Sequence, residues 1–140
     1  MSQRITPFIG YEDAAGAIEW LERAFGFREH REARYEDNGA ITHAELELEG
    51  ATIYLSTPAA YASPRTLRAE SETARRAYEN PWVIDGHFVQ VDDVDAHYER
   101  ARAAEATILR EPEEPGYGFR VYTAEDVEGH RWMFGQPLQP

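Results

Sequence analysis

The chain has 140 residues, 42% of them hydrophobic, with 26 acidic against 14 basic residues and a formal net charge of −12. Cysteine is absent and every basic residue is arginine, which excludes disulfides, thiol nucleophiles, cysteine-ligated metals, Schiff-base lysines and a lysine-bearing phosphate loop. The negative field disfavours nucleic acid, no apolar run reaches the roughly 20 residues of a membrane helix, and Met1 to Pro7 lacks the apolar core of a signal peptide, so a cytoplasmic protein with no nucleic-acid or membrane partner is expected.

The first predicted strand is Arg4–Tyr11. A helix follows, with Asp13 as its N-cap, Ala14, Ala17, Ile18, Leu21 and Phe25 at helical spacing, and Gly26 as its stop. Arg28–Tyr35 reads as a polar strand and Asp37-Asn38-Gly39 as a hairpin turn. On the next strand Ala44, Leu46 and Leu48 alternate with His43, Glu45 and Glu47. Glu49-Gly50 turns the chain into a strand over Ala51–Ser56. Pro58 to Asp85 contains three prolines and reads as a connector. It carries a modest helix started by Ser63-Pro64, with a thin apolar stripe of Leu67, Ala74 and Tyr78.

Beyond the connector the pattern recurs. Phe88–Val91 is a strand, and Asp92-Asp93 opens a helix bearing Val94, His97, Tyr98, Ala101 and Ala104. Thr107–Arg110 starts a short strand, Glu111–Gly118 is a turn-rich loop, and Phe119–Thr123 and His130–Phe134 are the last strands. Asp13 matches Asp93 at an offset of 80, and Glu49-Gly50 matches Glu128-Gly129 at an offset of 79. That period is too long for a solenoid unit. It predicts an α+β fold of two tandem βαβββ modules in one domain spanning 1–140. Module one covers about 3–57, the connector about 58–85, and module two about 86–136.

These landmarks resemble the vicinal oxygen chelate superfamily of glyoxalases, extradiol dioxygenases and bleomycin-resistance proteins. The resemblance is carried by Phe8-Ile9-Gly10-Tyr11-Glu12-Asp13, by Ala17 to Gly26, by Val89 to Ala96, and by Tyr117 to Tyr122 running into Asp126 to Trp132. It implies strands curled into a cup, with the helices on the outer face, and homodimers that share strands or modules across a two-fold axis. In the catalytic members of the superfamily it resembles, His and Glu side chains on four strands hold a divalent metal. The matching positions here are Thr6, Tyr54, Gly86 and Met133, none of them a suitable ligand for a hard or borderline ion. His87 is one residue from the Gly86 position, which on a strand turns its side chain to the opposite face. No metal or other cofactor is therefore expected.

Strand parity places Phe8, Tyr54, Phe88, Gln90 and Arg131 in the cup, and Ile9, Tyr11, Ile53, Leu55, Val89, Val91, Trp132 and Phe134 in the core. Arg120 and Tyr122 alternate with Phe119 and Val121 and are assigned inward as well, with Arg120 as the main polar handle, and Trp82 ends the connector near the mouth. An aromatic-walled cup with few polar groups suits a small molecule. His43-x-Glu45-x-Glu47 spans roughly 13 Å from first to last along one strand face, too far for three groups to converge on one ion. His43 and Glu45 remain as fallback metal ligands or as a base pair. Gly116-Tyr117-Gly118 lacks the third glycine of a dinucleotide loop, and there is no Gly-x-Ser-x-Gly elbow, so no catalytic residue is assigned. The resemblance implies a metal-free binding protein that sequesters an antibiotic or other aromatic ligand as a homodimer. The alternatives are a metal-dependent lyase, isomerase or dioxygenase of the same superfamily, and a dimerisation or regulatory module without a ligand.

Overall fold

The same local rules build both modules. The computed structural model describes residues 3–79 and 86–139. Module one runs β1 (Phe8–Gly10), α1 (Ala14–Phe25), β2 (Arg28–Glu29), β3 (Tyr35–Asp37), β4 (Ala40–Leu48) and β5 (Ala51–Ser56). Two connector helices follow, α2 (Pro64–Glu70) and α3 (Glu72–Glu79). Module two runs β6 (Gly86–Gln90), α4 (Val94–Ala103), β7 (Thr107–Glu113), β8 (Phe119–Glu125) and β9 (Arg131–Pro137). The N-caps are equivalent: Asp13 accepts the Gly16 N–H at 3.0 Å and Asp93 the Ala96 N–H at 3.1 Å. Asn38 and Gly39 both adopt positive φ, 53° and 81°, the geometry a two-residue hairpin turn requires.

The sheets repeat one topology. The first has the order β1-β5-β4-β2, with β3 also pairing β4, and the second has β6-β9-β8-β7. The parallel pairs correspond: Phe8 lies opposite Tyr54 as Phe88 lies opposite Met133, and Ile9 opposite Leu55 as Val89 opposite Phe134. All eight residues expected in the core are buried, and with the apolar faces of α1 and α4 they form one cluster that joins the modules. Burial of side chains such as Leu21 or Phe25 contributes roughly 1.5–3 kcal/mol each. Each sheet is thus covered on one face by the shared core, and its other face is the concave one.

Polar bonds tie the modules as firmly. Asp126, 1% exposed, accepts from the Tyr11 hydroxyl at 2.5 Å, from Trp132 Nε1 at 3.0 Å, and from the backbone N–H groups of Glu128 and His130 at 3.0 Å each. Glu128 accepts the N–H groups of Glu12 and Asp13 at the start of α1, and Arg100 donates to the carbonyls of Glu22 and Arg23 at its end. His130, at the start of β9, lies 2.8 Å from the Gly10 carbonyl.

Four segments differ from expectation. The first strand, expected over Arg4–Tyr11, is confined to Phe8–Gly10. The strand expected over Arg28–Tyr35 is interrupted by a single 3-10 turn at Arg31–Ala33. Glu29 is buried, and Arg34 grips its carboxylate with two bonds of 2.8 Å, which folds the chain back on itself. β7 runs on to Glu113, taking in the start of the expected loop. The connector holds two helices, and Leu67 is exposed, so the apolar stripe does not anchor it. Polar contacts do: Glu12 accepts from the Ser63 N–H and the Thr66 hydroxyl, and the Ser63 side chain, the Thr66 hydroxyl and the Ser63 N–H, in that order, hold the pKa of its carboxyl down to about 2. No helix among the described residues is long and apolar enough to cross a membrane.

Candidate ligand-binding site

Residues directly opposite each other across paired strands share a face. Phe8, Tyr54 and Glu45 therefore form one row across β1, β5 and β4, and Tyr35 joins His43 across β3 and β4. The Phe8 ring meets Tyr54 edge-on at 6.0 Å and His43 at 6.0 Å, and His43 lies 4.8 Å from Tyr54 and 6.3 Å from Tyr35. Phe8 is 58% exposed and Tyr35 64%. His43 Nε2 lies 2.9 Å from Glu45 Oε2, both side chains half-buried. Arg28 reaches Glu47 at 3.4 Å further along the same face.

The second concave face carries Phe88 and Gln90 on β6, with Met133 and Gly135 beside them on β9. The absence of a side chain at Gly135 lets the Phe88 ring lie against the sheet: a Cβ there would come within 2.4 Å of the ring. Phe88 is 42% exposed and meets Phe119 edge-on at 5.2 Å. Gln90 is exposed at the end of β6. A hollow of about 310 Å³ runs from Phe88 and Gly86 to Ile5, Pro7 and Thr52 of module one.

Arg131 stands on this face opposite Gly86 and Glu125, as parity requires, but it is only 5% exposed. The connector covers it. Arg68 on α2 binds Glu125 at 2.8 Å, and the Tyr78 ring of α3 sits 4.8 Å from the Arg68 guanidinium and 5.0 Å from that of Arg131. Arg131 also donates to the Tyr78 carbonyl. Burial pushes the Arg131 guanidinium below its ordinary value; Glu125 opposes that shift and Arg68 reinforces it.

Two assignments are corrected. Tyr122 is fully buried on the helix-covered side, stacked on Phe134 at 5.4 Å, with its hydroxyl 2.6 Å from His97 Nδ1. Arg120 shares that side and binds Asp95 of α4 at 3.0–3.2 Å. The reason is pairing: Tyr122 lies opposite Phe134 and Arg120 opposite Gln136, so β9 dictates which face each takes. Phe119, Val121, Thr123 and Glu125 face the concave side instead. Trp82 lies outside the described residues. Polarity is the wrong guide to β8: pairing with β9, whose Trp132 and Phe134 face the core, is what sets Phe119 on the other face. Locally Tyr35 shows only as the end of a polar strand and Tyr78 only as part of a thin apolar stripe; a broken strand and a connector docked through charge decide where they sit.

The positions that hold metal in similar catalytic proteins do not fit one here. Thr6, Tyr54, Gly86 and Met133 make a poor donor set for a divalent ion, and Gly86 lies opposite the cationic Arg131. Among the described residues no three His, Asp or Glu side chains are grouped to hold a metal ion. His43 and Glu45 stand as a pair only. The His87 ring lies 4.8 Å from Trp132, on the core side of β6.

The family model for the Glyoxalase/Bleomycin resistance protein/Dioxygenase superfamily matches residues 4–134. An uncharacterized Mycobacterium tuberculosis protein is 31% identical over 135 residues, covering 96% of this chain and 75% of that protein. Among solved structures, TioX from a Micromonospora species superposes with a TM-score of 0.69 at 26% identity, over 99% of this chain and 98% of TioX. TnmS3 from a Streptomyces species, described as an antibiotic binding protein, superposes with a TM-score of 0.62 at 17% identity over 98% of each chain, a likeness of fold.

Proposed function

The chain belongs to the Glyoxalase/Bleomycin resistance protein/Dioxygenase superfamily, and from that premise we propose that it is a metal-independent, small-molecule-binding protein of the cytoplasm that sequesters an aromatic ligand, an antibiotic being one candidate class. The observation that carries this reading is the exposure of Phe8, Tyr35 and Phe88 on the concave faces, where no core residue requires them. Large aromatic side chains kept in water in such a position serve a partner that covers them. The two faces belong to different sheets that, among the described residues, share no strand pairing. A homodimer that sets the first face of one protomer against the second face of its partner would close each into a walled cavity. The antibiotic-binding description of TnmS3 supports the ligand class at the level of shared fold.

Native mass spectrometry of freshly purified protein tests this in one measurement. The expected result is a species of twice 16.0 kDa, free of stoichiometric metal, that gains the mass of an added planar aromatic ligand and melts at a higher temperature with it. A monomer whose melting no aromatic compound shifts would overturn the reading. Stoichiometric zinc, nickel or iron that survives dialysis would overturn its metal-independent part.

A further inference from the structure

Stacking leaves one polar feature of the first concave face unused. The His43 ring stands among Phe8, Tyr35 and Tyr54, and its Nε2 is 2.9 Å from the Glu45 carboxylate. The Glu45 carboxylate accepts, so this bond places a proton on Nε2, and in the neutral imidazole the Nδ1 lone pair is left as an acceptor. Nδ1 accepts no hydrogen bond among the described residues. The same chain shows what such an acceptor takes. His97 has its Nε2 fixed by the Phe25 carbonyl at 2.7 Å, and its Nδ1 receives a phenolic O–H, that of Tyr122, at 2.6 Å.

We propose that His43, oriented by Glu45, is the specificity-determining group of the first concave face and selects an aromatic ligand bearing a phenolic or enolic hydroxyl. This rests on the reading of the cup as a small-molecule site. The surrounding charges favour a neutral donor over an acid. Glu45 and Glu47 share the face, and Arg28, the cation on β2 beside them, is engaged by Glu47. A ligand carboxylate would meet two like charges, whereas a hydroxyl on a flat ring stacks among Phe8, Tyr35 and Tyr54 and donates to Nδ1.

β-Naphthol and its methyl ether test the proposal, because they share one fused ring and differ in the donor proton. Calorimetric titration of the intact protein is expected to give about tenfold tighter binding of the naphthol, the scale of one net hydrogen bond. His43→Phe keeps a ring in place and removes the acceptor, so both probes should then bind with the affinity the ether shows for the unaltered protein. Glu45→Ala frees the tautomer and should shrink the preference without abolishing binding. Equal binding of the two probes by the unaltered protein, or a naphthol preference that persists in His43→Phe, overturns this inference and leaves the small-molecule reading standing. Failure of both probes to bind at millimolar concentration overturns both readings.

Discussion

Acidification should unlock the shared core at His97. This side chain of α4 is 8% exposed and bridges the modules, donating to the Phe25 carbonyl at the end of α1 and accepting from Tyr122 on β8. Burial pushes its pKa down from 6.5 to about 4; the Phe25 carbonyl resists that shift and Arg100 adds to it. The unfolded chain therefore takes up this proton at a higher pH than the folded one. The stability linked to neutral His97 is fully present above the unfolded value and is lost as the pH falls through the folded value. The gap between the two values corresponds to about 3 kcal/mol over the whole titration, of which about 2 kcal/mol disappears between about pH 7 and about pH 5. Urea unfolding at those two pH values measures it. His97→Phe removes the titrating group, so its stability should fall by about 2 kcal/mol less than that of the unaltered protein over the same interval. The variant also leaves the Tyr122 hydroxyl and the Phe25 carbonyl unpaired, costing about 1–3 kcal/mol each, but that loss is common to both pH values and cancels. Identical pH dependence in the two proteins would refute the reasoning, as would a His97 ring proton that titrates by NMR at its ordinary value.

Asp126→Ala strands four donors, two of them in the core, the Tyr11 hydroxyl and the Trp132 indole N–H. It should cost at least about 3 kcal/mol in chemical denaturation, and a loss under about 1 kcal/mol would show that the turn is not held through this carboxylate. Arg120→Ala removes a largely exposed ion pair with Asp95. Its stability should change by less than about 1 kcal/mol and its affinity for an aromatic ligand should be unchanged; a several-fold loss of binding would contradict the placement of Arg120 on the helix-covered side.

Much of this architecture is legible in the chain itself. The Asp13/Asp93 caps, the two Glu-Gly turns and the alternation of Ile9, Ile53, Leu55, Val89, Trp132 and Phe134 depend on a few neighbouring residues, and short-range periodicity reports them faithfully. Phe8, Tyr54 and Phe88 fall on the concave faces for the same reason. The faces of Arg120 and Tyr122 are not decided locally. A strand that is polar and apolar on alternate residues can be read in either phase, and only pairing with β9 selects one, sending a tyrosine hydroxyl into the core because His97 is there to receive it. Distant charges settle the rest. Arg34 folds back onto buried Glu29, and Arg68 and Tyr78 carry the connector onto Glu125 and Arg131, partners 57 and 53 residues away in the chain. Side-chain hydrogen bonds and ion pairs leave no period in a sequence, so tertiary structure alone brings these groups together.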